Sequence, residues 1–493
     1  MIKRGGGIAG KIITVIFLLI SLIFAGLMIY TKMIPAAILA VVSVGLLILV
    51  FLVGILTWNR YKLGRFFVGT FLAAIMSIAY ILAGSYVYKT TSTILQVSGV
   101  NKEITQIGIY VRIDDAADSI DDAAEYTFGI LSELDRENTN DALKNIKEKT
   151  GKDVAVQEYR GLSELVDGLT REQTGAIILN QAYLDVIKEM DGYSNLDSVI
   201  RQIALENVET TIKTNPSPGT EKKQHTVSEK KGEVYTIYVS GIDNRGGIVE
   251  KSRSDVNIIV TVNTATRQLL LVSTPRDYYV PLSISNGVPD KLTHAGIYGI
   301  NVCMDTLGML YDIDINYFVR LNFDGFINII DALGGITINS DYEFTSKNVA
   351  GYHFNKGENF VNGEEALAFA RERYAFSEGD RQRGKNQMAV IKGVVDKALS
   401  PELLKNYSSI LSSVQGCFET NISYEEIARL LQQQLADGGS WNVVSYSVDG
   451  TGDTQKPYSM SQNAYVMVPD YSTVDHAKEL MQKVCDGESI EDK

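Results

Sequence analysis

Basic residues crowd one short part of this chain. Residues 366–387, ALAFARERYAFSEGDRQRGKNQ, contain four arginines and one lysine in a protein whose formal net charge is −13. One guanidinium binds two phosphate oxygens at once, so closely spaced arginines are typical of a site for a phosphate-bearing ligand. Glu372, Glu378 and Asp380 are interspersed among them, and a solvated surface of ion pairs stays open as the alternative.

Two aspartates are placed to hold a divalent cation. Asp243 follows the apolar stretch VYTIYVSGI, and Asp255 precedes the apolar stretch VNIIVTVN. The short connection between these predicted strands favours an antiparallel pair, and a tight turn at 264–266 leads to a third strand, QLLLVST. Asp243, Asp255 and Arg276 would then meet at one edge of a sheet. A hard cation would bridge the two carboxylates, with Mg²⁺ expected and Mn²⁺ as the alternative.

Each aspartate also has an ordinary structural interpretation. Asp243 could cap a turn in GIDNRGG, and Asp255 could pair with Arg253. GIDNRGG lacks the GxxxxGK[ST] pattern, which argues against a nucleotide-binding P-loop. The metal site is a hypothesis at this point.

Two helices are predicted to carry the arginines. NGEEALAFARER indicates a helix that begins near Gly363 with acidic residues in its first turn. Arg371 and Arg373 are two residues apart and cannot share a helical face, so this helix should end near them. A second helix, over RQRGKNQMAVIKGVVDKAL, places Arg383 and Gln387 one turn apart on the same side.

The amino-terminal part of the chain indicates a membrane anchor. Residues 12–31, 33–59 and 66–88 carry no charge, and each run is long enough to cross about 30 Å of hydrocarbon. Three transmembrane helices are therefore predicted, at about 12–31, 35–58 and 66–88. Basic residues flank them asymmetrically: Lys3, Arg4 and Lys11 precede the first span, Arg60, Lys62 and Arg65 follow the second, and only Lys32 lies between. This pattern predicts a multi-pass protein of the cytoplasmic membrane whose large carboxy-terminal part is extracytoplasmic.

A linker divides that part in two. Residues 214–232, TNPSPGTEKKQHTVSEKKG, combine proline, glycine and mixed charge without apolar periodicity. We therefore expect an anchor at 1–97, an accessory α/β domain at 98–213 and a catalytic domain at 233–493. In the accessory domain, strands in TQIGIYVR, VAVQEY and GAIILN alternate with helices predicted in DDAAEYTFGILSEL, DALKNIKEK and QAYLDVIKEM. The accessory domain contains no motif typical of a catalytic site. A role as a spacer and a role as a docking module both stay open.

Six sequence motifs in the carboxy-terminal part of the chain resemble those of a known family. GIDNRG, RSDVNIIV, STPRD, DKLTHA, LNFDGFINIIDALGGI and NGEEALAFARERY…EGDRQR occur in this order. Together they resemble the LytR-CpsA-Psr family, in particular its capsule-associated branch, which also has three spans and an accessory domain. The resemblance is strong over about 233–400. The chain departs from the family at AGIYGI, where a glycine pair commonly follows.

The resemblance implies a fold and a set of site residues. The fold would be a three-layer αβα domain with a central mixed sheet and an apolar cavity for a prenyl chain. Asp243 and Asp255 would hold Mg²⁺, and Asp380 would be a catalytic residue and the candidate base. Pyrophosphate would be bound by the following residues, the first three of them also catalytic: Arg276, Arg371, Arg373, Arg383, Gln387 and Lys291. His294 also matches the family motif.

The implied activity is that of a phosphotransferase. A glycopolymer, expected to be capsular polysaccharide, would move from an undecaprenyl pyrophosphate carrier to peptidoglycan, forming a phosphodiester and releasing the lipid monophosphate. Partners would be the lipid-linked glycan, peptidoglycan, the bilayer and capsule-assembly membrane proteins, and the acidic balance excludes a nucleic-acid partner. A polyprenyl pyrophosphate hydrolase and a non-enzymatic lipid-binding scaffold are the alternatives.

Overall fold

The computed structural model describes residues 2–32, 34–58, 63–212, 234–242, 250–349, 351–377, 379–398, 400, 418–437 and 439–491. The chain forms two compact units. Among the described residues, the first comprises those within 2–99 and 422–440, and the second comprises those within 100–400, 418–421 and 441–491. The predicted linker, 214–232, lies outside the described residues, and the predicted domain bounds stay a prediction.

The first unit contains the three apolar helices. They are α1 (Ile2–Tyr30), α2 (Ala36–Thr57) and α3 (Leu63–Val97). Segments 8–30, 36–58 and 63–89 within or beside them are long and apolar enough to span a membrane, which confirms the predicted spans. The amphipathic helix α12 (Tyr424–Asp437) belongs to the same unit, where Tyr424 and Ala428 pack on Ile94 of α3.

A five-stranded sheet opens the second unit. Its order is β3-β2-β4-β1-β5. The strands are β1 (Lys102–Arg112), β2 (Thr127–Leu131), β3 (Ala155–Tyr159), β4 (Ala176–Asn180) and β5 (Ile200–Thr211). The helices are α4 (Arg136–Thr150), α5 (Leu162–Thr170) and α6 (Leu184–Lys188). The predicted accessory α/β fold is therefore confirmed.

One accessory element was predicted wrongly. The segment DDAAEYTFGILSEL was expected to be helical, but its TFGIL part is strand β2, paired in parallel with β3 and β4. Phe128 and Ile130 pack into one apolar core, and Leu131 faces another. A strand buried on both faces is a short apolar run without alternation, and periodicity cannot distinguish such a run from a buried helix.

A six-stranded mixed sheet forms the core of the rest. Its order is β16-β11-β6-β7-β8-β17, with β6-β7-β8 antiparallel and with β11 and β17 parallel to their neighbours β6 and β8. Its strands are β6 (Val234–Ile242), β7 (Ser254–Asn263), β8 (Gln268–Thr274), β11 (Tyr317–Leu321), β16 (Phe418–Thr420) and β17 (Asn442–Ser447). The antiparallel β6-β7-β8 arrangement confirms the prediction. Carboxyl ends of β6, β8, β11 and β17 consequently share one edge with the amino end of β7.

Helices cover both faces of this sheet. On one face Leu270 and Val272 of β8 pack with α7 (Ala295–Tyr298), α8 (Ile300–Tyr311) and α13 (Tyr471–Asp486). On the other, Leu269 and Leu271 pack with Met388 of α11 (Asp380–Ala398), beside α9 (Phe323–Ala332) and α10 (Gly363–Arg371). Successive strand residues point to opposite faces, so both layers are buried. The chain has the expected three-layer αβα architecture.

Short two-stranded ribbons complete the unit. They are β9 (Tyr279–Pro281) with β10 (Pro289–Lys291), β12 (Ile336–Ser340) with β15 (Gly357–Val361), β13 (Phe344–Thr345) with β14 (His353–Phe354), and β18 (Gly450–Gln455) with β19 (Ala464–Pro469). The β18-β19 hairpin was not predicted from the sequence.

Candidate functional site

An apolar cavity of about 510 Å³ lies between the central sheet and α9, α10 and α11. Hydrocarbon side chains form most of its wall, among them Val239, Val256, Val319, Phe326 and Ile391. Polar side chains gather toward the edge of the sheet where β7 begins and β8 ends: Asp255, Arg276, Asn322, Asn348, Arg371, Arg373, Arg383 and Gln387. Such a space suits a ligand with a long apolar part and an anionic end.

Asp255 and Arg276 meet at this edge, as the strand geometry predicted. Their Oδ1 and Nη1 atoms are 2.7 Å apart, and both side chains are largely buried. Asp255 Oδ1 also accepts a hydrogen bond from Thr293 Oγ1 at 3.1 Å. The alternative pairing of Asp255 with Arg253 is not the one observed, because Arg253 instead contacts Asp185 and Glu189.

Helix α10 delivers Arg371 and Arg373. A capping box starts it, in which the Asn362 side chain accepts from the Glu365 N–H and Glu365 accepts from the Asn362 N–H. The helix ends at Arg371, as predicted, and Arg373 follows the extended residue Glu372. The Arg371 guanidinium lies 4.3 Å from the Phe323 ring centroid, which fixes its direction at the cavity.

Glu372, between these two arginines, is a structural residue that sequence reasoning missed. It is fully buried, and its carboxylate accepts backbone N–H hydrogen bonds from Lys347, Asn348, Arg373 and Ala375. Burial alone would raise the pKa of Glu372, but the backbone hydrogen bonds outweigh it and hold this pKa below its ordinary value. The carboxylate therefore fixes the loop that presents Arg373.

Replacing Glu372 with glutamine should loosen this loop. One amide oxygen cannot replace a carboxylate that accepts four N–H groups, so we expect a loss of about 1–3 kcal/mol in unfolding free energy at pH 7. Because the folded-state pKa is depressed, the contribution is present above the unfolded-state value of about 4.3 and is lost as pH falls below it. Thermal unfolding of the full chain in detergent at pH 7 and pH 3.5 checks this. A gap between wild type and variant that stays constant with pH would contradict it.

Helix α11 brings Arg383 and Gln387 to the same cavity, one turn apart as predicted. Asn386 joins α11 to α10 by donating to the Phe369 carbonyl at 3.1 Å. Asp243, one of the two predicted metal ligands, lies outside the described residues. Asp380 begins α11, but its side chain is also outside the description. The structure therefore brings together Asp255, Arg276, Arg371, Arg373, Arg383 and Gln387.

A model of the LytR_cpsA_psr family matches residues 202–483, more than half of the chain. The chain belongs to this family. The polyisoprenyl-teichoic acid–peptidoglycan teichoic acid transferase TagU of Bacillus subtilis (strain 168) is 32% identical over 232 residues, covering 47% of this chain and 73% of TagU. TagU of Enterococcus faecalis (strain ATCC 700802 / V583) is 34% identical over 235 residues, with coverages of 47% and 76%.

Solved structures also align with this member of the LytR_cpsA_psr family. The crystal structure of B. subtilis TagV is 28% identical, covers 53% of this chain and 100% of TagV, and gives a TM-score of 0.44. A structure described as TagT bound to LI-WTA is 25% identical, with coverages of 52% and 92% and a TM-score of 0.41.

Two residues of the family motif DKLTHA lie beside the cavity rather than in its wall. Lys291 Nζ is 3.5 Å from both Glu189 Oε2 and Asp277 Oδ1. His294 is fully buried, and its Nδ1 lies 2.7 Å from Asp290 Oδ1 and 2.8 Å from Ser459 Oγ. Lys291 therefore pairs with two carboxylates outside the cavity wall, and His294 belongs to a separate buried network.

Glu189 connects the accessory sheet to a basic cluster formed by Arg253, Arg276 and Lys291. It follows α6, before the start of the family match, yet its carboxylate contacts Arg253, lies 3.5 Å from Lys291 Nζ and lies 3.9 Å from Arg276 Nη2. Burial would raise the pKa of Glu189, but Lys291, Arg253 and Arg276 together hold it below its ordinary value. No sequence motif indicated a role for Glu189, because its partners are at least 64 positions away along the chain.

Glu189→Gln should change how strongly the cluster attracts anions. The glutamine keeps the shape but removes a negative charge that competes for Arg276 and Lys291. We therefore expect severalfold tighter binding of a pyrophosphate-bearing lipid, with a steeper dependence on salt. Binding titrations at two salt concentrations check this, with Asp197→Asn as the control, since Asp197 is an exposed accessory carboxylate that pairs only with Lys188 among the described residues. Unchanged or weaker binding would contradict the prediction.

Among the described residues, Asp255 is the predicted ligand for a hard cation. Oδ1 contacts Arg276 and Thr293, whereas Oδ2 has no hydrogen-bond or ion-pair partner among the described residues. The carboxylate also lines the cavity. Carboxylate oxygen is the ligand that Mg²⁺ and Mn²⁺ prefer. Within the described part of the chain no group of three or more His, Cys, Asp or Glu residues is arranged around a metal position. Any cation here would therefore depend on Asp255 together with Asp243 and on ligand oxygens.

Proposed function

We propose that this protein is a membrane-anchored glycopolymer–peptidoglycan phosphotransferase that works on the outer side of the cytoplasmic membrane. It takes a polymer from an undecaprenyl pyrophosphate carrier, joins it to peptidoglycan by a phosphodiester and releases undecaprenyl phosphate. The cavity carries this proposal, because its apolar wall suits a prenyl chain and its arginine-lined end suits a pyrophosphate. The TagU relatives are polyisoprenyl-teichoic acid–peptidoglycan teichoic acid transferases, which supports the proposal.

The polymer in this proposal is a capsular polysaccharide. The three-span anchor and the accessory sheet support this choice, since the chain resembles the capsule-associated branch in that organisation. Teichoic acid, named in the TagU relatives, is the alternative polymer. The outward orientation is supported by the basic residues on either side of the spans. Protease removal of a carboxy-terminal tag from intact wall-less cells tests it.

The arginines supply most of the chemistry. An acceptor sugar hydroxyl attacks the phosphorus next to the glycan, and the bond to the lipid phosphate breaks. Arg276, Arg371, Arg373 and Arg383 hold the pyrophosphate oxygens and neutralise the charge that the departing lipid phosphate gains. Gln387 donates a hydrogen bond at the same end of the cavity, and Lys291 adds positive charge behind Glu189. Asp255, with Asp243, would hold Mg²⁺, which when bound polarises a phosphoryl oxygen.

The full chain in detergent, supplied with a polyprenyl pyrophosphate-linked oligosaccharide, peptidoglycan fragments and Mg²⁺, tests this function. Mass spectrometry should detect the phosphodiester conjugate and polyprenyl phosphate from wild type, and neither from Arg373→Ala. Polyprenyl phosphate without conjugate would favour a hydrolase. Lipid binding without any turnover would favour a scaffold, in which case Arg371→Ala and Arg373→Ala proteins would still support polymer attachment in cells.

A further inference from the structure

A second, smaller pocket adjoins the apolar cavity and has a more polar lining. Its volume is about 140 Å³, and its walls come from the ends of β8 and β17 and the first turns of α11. Four residues line both spaces: Asp255, Arg276, Arg383 and Gln387. These four side chains therefore stand between an apolar compartment on one side and a polar compartment on the other.

The walls of this polar pocket suit a sugar. Ser273 and Ser447 are register partners at the carboxyl ends of the parallel strands β8 and β17, and both line it. Arg381, Lys385 and Asp449 add charged donors and an acceptor. Open α/β sheets bind ligands outside the carboxyl ends of their strands, which is where this pocket lies. Hydroxyl, carboxylate and guanidinium groups satisfy the alternating donors and acceptors of a carbohydrate but offer little to a lipid tail.

Asp449 is the pocket residue best placed to take a proton. Its Oδ1 accepts from Arg381 Nε at 2.7 Å and from the Gly450 N–H at 2.7 Å. Arg381 also donates to the Gly450 carbonyl, so the pair is held in one orientation. Its Oδ2 accepts no hydrogen bond and forms no ion pair within the described part of the chain. Asp449 therefore presents one oriented carboxylate oxygen in a solvent-accessible pocket.

The geometry of phosphoryl transfer connects the two spaces. The attacking and leaving oxygens lie roughly in line on opposite sides of the phosphorus. If the prenyl chain of the leaving lipid phosphate fills the apolar cavity, the nucleophile must approach from the other side of the four shared residues. That side is the polar pocket.

We propose that the polar pocket is the binding site for the acceptor sugar of the peptidoglycan glycan strand, with Asp449 as the residue that accepts the proton of its attacking hydroxyl. The inference rests on the proposed transferase function. The acceptor oxygen forms a bond to the phosphorus next to the polymer, the bond from that phosphorus to the bridging oxygen breaks, and the lipid phosphate leaves with the electron pair. The hydroxyl proton passes to Asp449 Oδ2 and then to water.

Two kinds of variant test the site. Asp449→Asn keeps the shape but removes the proton acceptor, and should lower kcat for transfer by roughly 10²- to 10⁴-fold. Gly384 lines only the polar pocket, and a Cβ there would lie 3.7 Å from Ser273 Oγ, an ordinary contact. Gly384→Ala should therefore fold normally and raise the acceptor KM by roughly 10-fold, in line with the effect of one methyl group in a fitted pocket. Gly384→Leu should raise it further.

Matched variants make the result specific. Asp453→Asn removes a nearby carboxylate, on β18, whose hydrogen-bond partners among the described residues are only Thr454 and Gln455, and it should leave transfer unchanged. Asp380→Asn tests the competing base. Each variant of the full chain in detergent is assayed for conjugate at varied peptidoglycan fragment and for binding of the pyrophosphate-linked lipid, which Asp449→Asn and Gly384→Ala should leave unchanged.

The outcomes separate this inference from the proposed function. Wild type that makes no conjugate rejects the transferase function and the acceptor site with it. Wild type that makes conjugate, beside an unchanged acceptor KM in the Gly384 series, rejects the acceptor site alone. A donor KM that rises in that series, and rises more with a longer donor glycan, assigns the pocket to the donor sugar instead. Loss of turnover in Asp380→Asn but not in Asp449→Asn overturns the role of Asp449.

Discussion

Replacing Arg276 with alanine is expected to lower kcat/KM for polymer transfer by about 10²- to 10³-fold, the loss seen when one preorganised donor to a developing charge is removed. Arg276 lies two residues after the end of β8 and is one of the four residues that line both pockets. Its guanidinium is held between Asp255 and Glu189, at 2.7 and 3.9 Å. These contacts fix its planar fork before substrate arrives, so the transition state gains its hydrogen bonds without reorganisation.

Arg276→Lys should recover little of this loss. Lysine keeps the charge, but its ammonium is a point donor that cannot bind two phosphate oxygens in parallel. Arg171→Ala is the matched control, because Arg171 is 69% exposed and its i,i+4 pair with Asp167 lies on the accessory surface. Steady-state transfer assays on the full chain, with thermal unfolding to verify the fold, measure the effect. Wild-type turnover by a folded Arg276→Ala protein would remove the pyrophosphate-binding role from this residue.

Strand geometry is what made part of the site predictable. Asp255 and Arg276 could be placed together because two antiparallel strands joined by a tight turn return to the same edge, and they do meet there. The end of α10 between Arg371 and Arg373 followed from helical periodicity in the same way. The first inference used a connection too short for any other topology, and the second used the periodicity of a single helix.

Contacts between the two sheets could not be predicted in this way. Glu189 and Glu103 belong to the accessory sheet or the segments next to it, and their partners lie in the central sheet and its connections. Local sequence patterns do not predict which surfaces of two sheets will pack against each other. Asp449 was missed for a different reason. The strand that follows it, β18, has the sequence GTGDTQ, which contains few of the β-branched and aromatic residues that indicate a strand.

A buried cluster of three charged residues, Glu103, Arg320 and Glu419, joins the accessory sheet to the central sheet. Glu103 of β1 is 3% exposed, and its Oε1 lies 2.5 Å from Nη1 of Arg320 on β11. Arg320 Nη2 contacts Glu419 of β16 at 2.9 Å. Glu103 also accepts the N–H of Ile300, the first residue of α8. Val319 and Leu321, on either side of Arg320, line the apolar cavity.

Glu103→Ala should therefore destabilise the second unit strongly, by about 3–5 kcal/mol, because it leaves a buried arginine partly uncompensated and removes the acceptor at the start of α8. Lys102→Ala, at the preceding residue, is the control. Its ion pair with Glu209 is more than 60% exposed on both sides, so the loss should stay below about 1 kcal/mol. Urea unfolding of the full chain in detergent measures both, in a Trp58→Phe background where Trp441 is the remaining tryptophan.

A triple replacement separates electrostatics from packing. Glu103→Leu, Arg320→Met and Glu419→Leu together remove all three charges, and a buried ion triad replaced by apolar side chains of similar size is often neutral or stabilising. The triple variant should thus be more stable than Glu103→Ala alone. If instead it is less stable, the join between the two sheets depends on the directed hydrogen bonds of Glu103 to Arg320 and Ile300 rather than on burial of the cluster, and the cavity wall on β11 would loosen with it.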